Sequence, residues 1–194
     1  GRKRRYHEHT RGKFCMVVCG LDMSSKKSGY GLFKDGKLVD YGVWEIPDTK
    51  TDWRDKVLWM GDRLNEYISK HKIDKFYVED VPLILKNPQT LKILSCLQGV
   101  ILGITSALNA EVIFVPVSKW RADLGLFDGS RDGMEREKMK QSSVEYANKH
   151  FGLDLKWVSK CSKKNQDDTA DAINIAYSQI KPKNTFGRKS KVGG

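Results

Sequence analysis

Val17-Val18-Cys19-Gly20-Leu21-Asp22 is an apolar run of strand length that ends in a carboxylate, after which Met23-Ser24-Ser25-Lys26-Lys27-Ser28 turns the chain through mostly small polar residues. Such a strand presents its acid at its tip, where a ligand can reach it. The following segments, Tyr30-Gly31-Leu32-Phe33 and Leu38-Val39-Asp40-Tyr41-Gly42-Val43-Trp44, flank Lys34-Asp35-Gly36-Lys37. Asp-Gly between two apolar runs favours a type I′ hairpin, so Asp22 is expected on a sheet that opens with antiparallel strands.

Further along, Trp53, Val57, Met60, Leu64, Tyr67 and Ile68 recur at helical spacing, which predicts an amphipathic helix over 53–71 lying on the sheet. Lys75-Phe76-Tyr77-Val78-Glu79 is a β-rich run that again ends in a carboxylate, shortly before Pro82 forbids simple continuation. Residues 88–108 read as a long, largely buried helix in which Gly99 and Gly103 would let a neighbouring element approach closely. Glu111-Val112-Ile113-Phe114-Val115, closed by Pro116, is a further strand. Alternating strands and helices after the hairpin predict an α/β fold, its mixed five-stranded sheet having three antiparallel strands first and then two parallel ones, flanked by helices. Gly125, Gly129 and Gly133 mark a mobile loop between Ser118 and Arg136, a helix resumes over 135–150, and a last helix opens near Asp168 and runs to about Ile180.

A chain of 194 residues with 39% hydrophobic content is sized for one domain with a sizeable core. No run approaches the ~18 apolar residues of a membrane helix, and the N-terminus is too basic for a secretion signal, so a cytoplasmic protein is expected. Cys15, Cys19, Cys96 and Cys161 lack zinc-type spacing and are expected to be free thiols. The net charge of +11 sits mostly in the ends. Residues 1–13 carry Arg2, Lys3, Arg4, Arg5, Arg11 and Lys13 against Glu8, and residues 181–194 carry Lys181, Lys183, Arg188, Lys189 and Lys191 with no acid. The expected organisation is a basic disordered arm or expression remnant at 1–13, one domain at 14–181 and a basic flexible tail at 182–194.

The closing helix bears Asp168-Thr169-Ala170-Asp171, whose acids share one helix face. Taken singly, acids in a first helical turn are caps, and Asp22 and Glu79 are ordinary strand-end carboxylates. Together, Asp22, Glu79, Asp168 and Asp171 form a set of hard oxygen donors with no His or Cys beside them, which suits Mg²⁺ or Mn²⁺ rather than zinc. Asp167 and Asp80 are neighbours on the solvated side. Two such ions can activate water and stabilise the leaving oxygen in phosphodiester hydrolysis. His7, His9, His71 and His150 lie in a tail or at helix ends, so no catalytic histidine is expected.

Gly20-Leu21-Asp22 followed by Ser28-Gly29-Tyr30-Gly31, then Val78-Glu79-Asp80-Val81 leading into Lys86-Asn87-Pro88-Gln89 and Gln98-Gly99-Val100, and finally Asp168-Thr169-Ala170-Asp171-Ala172, resembles the RuvC family of Holliday-junction resolvases over residues 16–180. The resemblance implies a ribonuclease-H-like fold, a homodimer, and Mg²⁺-dependent paired nicking of four-way DNA junctions, with Mn²⁺ able to substitute and two ions per site. It assigns the four acidic roles to Asp22, Glu79, Asp168 and Asp171, with Asp22 bridging both ions, and an active-site lysine to Lys140, with Lys138 as its rival.

The chain departs from the family pattern at Met23-Ser24, where Pro-Gly is usual, at Pro82, where an aromatic is common, and in its basic N-terminal arm; these point to a divergent, bacteriophage-type member. Without an aromatic at Pro82, broad use of branched DNA is expected unless Leu83 or Leu85 serves as an apolar wedge. Lys119, Arg121, Lys138, Lys163 and Lys164, with Lys160, are candidate DNA contacts. A nuclease of the same fold acting on RNA, flaps or branches, and a non-catalytic nucleic-acid-binding module, are the competing readings.

Overall fold

Asp35 and Gly36 turn the first hairpin with both residues at positive φ, 49° and 77°, the backbone that a type I′ turn demands. In the computed structural model, which describes residues 16–81, 87–127 and 135–183, this turn joins β2 (Lys27–Lys34) to β3 (Lys37–Glu45). β1 (Val17–Met23) pairs antiparallel with the other edge of β2. The chain then crosses through α1 (Trp53–His71) to β4 (Lys75–Glu79), and through α2 (Pro88–Ala107) to β5 (Glu111–Val115). β4 pairs parallel with β1 and β5 parallel with β4, so the order is β3-β2-β1-β4-β5, and the sheet is mixed with three antiparallel strands first and two parallel ones after, as the segment pattern predicts. α3 (Val117–Asp123), α4 (Arg136–Phe151) and α5 (Asp167–Ile180) complete the chain. The basic arm at 1–13, Pro82, Leu83 and Leu85, and most of the tail at 182–194 lie outside the described residues.

The strands alternate their side chains between two cores. Cys19, Leu21, Phe76 and Val78 face α1 and α2, packing with Met60, Leu64, Leu97 and Ile101. Val18, Phe33 and Tyr77 face the other way, with Trp120, Ala147, Ile173 and Ala176. The period of two therefore sends Asp22 and Glu79 to the second face, beneath α5. Local chemistry sets the helix starts on the first face: Asp52 accepts from the Arg54 N–H at 2.8 Å, and Asn87 accepts from the Gln89 N–H at 3.0 Å with Pro88 in the first turn.

Two stretches differ from expectation. α2 is not largely buried: of its 20 residues only Ile93, Leu97, Ile101 and Thr105 are. One stripe of the helix packs inward, while a Cβ at Gly99 or Gly103 would meet no atom of the described residues within 4 Å. α2 is also long and apolar enough, by length and composition, to cross a membrane, contrary to the expectation that no segment would be. The stretch read as a loop from Ser118 instead continues α3, because Trp120 is completely buried and Leu124 follows it into the second core. Residues 128–134 of that stretch lie outside the described residues.

Candidate active site

β1 and β4 run parallel with Leu21 beside Val78, so Asp22 and Glu79, the next residue on each strand, emerge side by side at the carboxyl end of the sheet. α5 comes down on this face because the strands beneath it lack side chains. A Cβ at Gly20 would collide with the carbonyl oxygen of Ala172, and one at Gly31 would stand 2.8 Å from Ile173 Cγ1. Gly29 likewise underlies the peptide of Asp168. The first turns of α5 are thereby seated on the tips of β1 and β2, which brings Asp168 and Asp171 to the strand-end acids.

Crowding governs the electrostatics of these carboxylates. Asp22, 8% exposed, is held well above the usual carboxylate range by burial and then by the charges of Glu79, Asp171 and Asp168, and it shares a side-chain hydrogen bond with Glu79. Asp171 is pushed up to about 8, by burial first and by Glu79 next, against the opposing effects of Arg121 and a hydrogen bond with Ser143. Asp168 is raised by burial and by Asp167, with Lys27 pulling it back. Carboxylates packed until they resist ionising form an arrangement that a bound cation relieves.

Cations stand around the cluster, and the sequence reading identified only some of them. Lys140 Nζ lies 3.4 Å from Asp167 Oδ2, so the structure brings Lys140 to the rim, whereas Lys138 is exposed. Asp167, read as a solvated neighbour, is instead buried. Lys27, which had no assigned part, pairs with Asp168 at 3.2 Å. Arg121 is the clear correction: read as a surface DNA contact, it is 4% exposed, stands 3.6 Å from Asp171 Oδ1 and donates to the Met139 carbonyl at 3.0 Å. It is internal because α3 places it beside completely buried Trp120, under α4. Trp120 was also missed; its indole N–H donates to Glu79 Oε1 at 3.2 Å. The available signal was weak, a tryptophan just past the Pro116 that closes β5.

Asp171 Oδ1 is buried with no hydrogen-bond partner among the described residues, its nearest cation being Arg121 at 3.6 Å, which leaves a lone pair of the kind a metal ion takes up. As the side chains stand, no group of three or more His, Cys, Asp or Glu among the described residues is arranged to hold a metal ion, and Asp168 is turned to Lys27 instead. The all-oxygen donor set and the buried Oδ1 fit Mg²⁺ or Mn²⁺.

The remaining basic candidates are outside the cluster. Lys119 is exposed and paired with Asp123 at 2.7 Å. Lys160, Lys163 and Lys164 are exposed on the loop that leads into α5. That loop is tightly held: Asn165 accepts from the Val158 N–H at 2.8 Å and donates to the Ser159 carbonyl at 2.7 Å.

No protein-family model matches this chain, and no curated protein matches it in sequence. Solved structures do match it. RuvC of Thermus thermophilus in complex with a Holliday junction substrate is 15% identical, with 84% of this chain and 92% of that chain covered and a TM-score of 0.63. A further structure of Thermus thermophilus RuvC gives the same identity and coverage with a TM-score of 0.62. The yeast mitochondrial Holliday junction resolvase Ydc2 is 13% identical over 84% of this chain and 77% of that one, with a TM-score of 0.53. With its five-stranded mixed sheet and its last helix seated on glycines over the strand-end acids, the chain has the ribonuclease-H-like fold of the RuvC-type Holliday-junction resolvases.

Proposed function

We propose that the protein is a divalent-metal-dependent, structure-selective DNA endonuclease that resolves four-way junctions, and other branched DNA, by paired nicking. The observation that carries this reading is the convergence of buried Asp22 and Asp171 with half-buried Glu79, from three separate elements, into one mutually repelling cluster. The fold supports the choice of substrate, since one of its solved examples is a RuvC bound to a Holliday junction.

Asp22, Glu79, Asp168 and Asp171 would hold Mg²⁺ or Mn²⁺; such ions would supply an activated water and offset charge on the leaving oxygen. The protein's own part is positioning. Trp120 orients Glu79, while Arg121 and Ser143 orient Asp171. Lys140, on the rim, sets a positive charge where negative charge develops on the scissile phosphate. Exposed Lys160, Lys163 and Lys164 would take backbone phosphates and so hold the strand in register. Paired nicking calls for two active sites, and so for a homodimer.

The test is one gel with labelled four-way junction, linear duplex and flap, with Mg²⁺ and with EDTA. Symmetric nicks in the junction that need Mg²⁺ are expected, with duplex left intact. Salt-sensitive binding without nicking would replace this reading with a binding module, and cleavage of RNA or flaps alone would replace the substrate.

A further inference from the structure

Beside the acidic cluster, between α4 and the loop that leads into α5, lies a pocket of about 360 Å³. Trp157 lines it, together with the cationic side chains of Arg136, Lys140 and Lys160 and the carboxylates of Glu135 and Glu137. We infer that this pocket receives an unpaired nucleobase next to the scissile phosphate, stacked on Trp157, which makes Trp157 a specificity-determining residue.

The mixture of groups selects the ligand. A site for phosphate alone would not carry two carboxylates, and a core dimple would not carry three cations. A nucleotide uses all of them: the ring face stacks on the indole, amino groups on the base edge donate to the glutamates, and flanking phosphates take the cations. The pocket is also tied to the acids at both sides. Lys140 lines it and stands 3.4 Å from Asp167. Trp157 lies between two residues whose backbone N–H groups are held by the last residues before α5: the Lys156 N–H donates to Gln166 Oε1 at 2.9 Å, and the Val158 N–H donates to Asn165 Oδ1 at 2.8 Å. The Gln166 N–H returns a bond to the Lys156 carbonyl at 2.8 Å. The indole is therefore positioned by the same short segment that launches Asp167 and Asp168, so a base stacked on it sets the strand's distance to the acids before any chemistry.

The inference rests on the nuclease reading for the identity of the polymer, and the experiment separates the two. Affinity is measured without divalent ions for a four-way junction, a duplex with unpaired overhanging bases and a plain duplex, using wild type, Trp157→Ala and Trp157→Phe. Trp157→Ala should lose about ten-fold on the first two substrates and little on plain duplex, with Trp157→Phe retaining most of the affinity. Equal affinities across the three proteins, or an equal loss on all three substrates, would overturn the base pocket while leaving nicking by wild type to stand. Wild type that binds no DNA would overturn both readings. Because Trp157 also packs against the second core, an independent readout uses the unaltered chain: Cys161 is exposed and lines the same pocket. Its alkylation should be slowed several-fold by DNA with unpaired bases and not by plain duplex, and unslowed alkylation under saturating junction would equally overturn the pocket.

Discussion

Gly29 of β2 lies directly beneath the peptide of Asp168, so that a Cβ there would collide with that carbonyl oxygen and stand 2.9 Å from the Thr169 nitrogen. The obstacle is helix backbone, which cannot swing aside as a side chain does. Gly29→Ala should therefore lift the start of α5 off the sheet, lowering stability by about 1–3 kcal/mol and removing nicking. Gly99→Ala, with no atom of the described residues within 4 Å of the new methyl, should be neutral or slightly stabilising. Thermal melts of both variants check this, and an unaffected Gly29→Ala would contradict the seating of α5.

Asp171 makes the stability depend on pH in a defined direction. Its pKa is about 8 in the folded chain against an ordinary 3.8, so the folded state binds the proton more tightly. The resulting stability is fully present below about pH 4 and is lost as pH rises towards 8. Asp22, raised for the same reasons, adds to the trend. In EDTA the melting temperature should fall between pH 5 and pH 8, and Mg²⁺ should restore it at pH 8. Asp171→Asn should flatten this dependence, melt above wild type at pH 8 and abolish nicking. Asp22→Asn and Glu79→Gln should abolish nicking while junction binding persists, and near-normal nicking by any of the three would remove the acids from the site.

Trp120 is a positioning residue for Glu79 through the 3.2 Å indole bond. Trp120→Phe keeps most of the buried ring but leaves Glu79 without that donor, at a cost of roughly 0.5–1.5 kcal/mol. The nicking rate at limiting Mg²⁺ should fall and recover in part at high Mg²⁺, with junction affinity unchanged. A loss of stability alone, with the Mg²⁺ dependence unmoved, would reduce Trp120 to core packing.

Burial separates Arg121 from the surface lysines in a way that salt titration reads directly. Arg121→Gln should lower the melting temperature, since it removes the cation facing Asp171, and leave the slope of log affinity against log salt unchanged. Lys163→Gln and Lys164→Gln, both exposed, should each reduce that slope by about 0.9 with no change in melting.

Lys140→Ala should cut the nicking rate more than the affinity, because Lys140 Nζ is the lysine placed at Asp167. Lys138→Ala should do little. A larger rate loss at Lys138 would overturn the assignment of the active-site lysine to Lys140.

The elements were legible because their signals are local. The 3.6-residue spacing of Val57, Met60, Leu64 and Ile68 and the short apolar and β-rich runs that end at Leu21 and Val78 are properties of single segments, and α1, β4 and β5 begin and end where those patterns do. Asp22 and Glu79 could be read as strand-end acids because each closes an apolar run, but that the two stand side by side depends on the register that pairs Leu21 with Val78, which is a property of the sheet. Periodicity says which face of a segment is apolar but not what will cover it, so α2 read as buried although most of it is not. Nor can it say which distant group a polar side chain will meet. Trp120 reaches Glu79 across 41 residues, Lys27 meets Asp168 from the opposite end of the chain, and Arg121 turns inward because α3 and α4 close over it. Which residues could carry the chemistry was set by the order of side chains along each strand and helix; which cations and donors hold those residues in place was decided only when α5 settled on the glycines of β1 and β2 and drew α3 and α4 in around it.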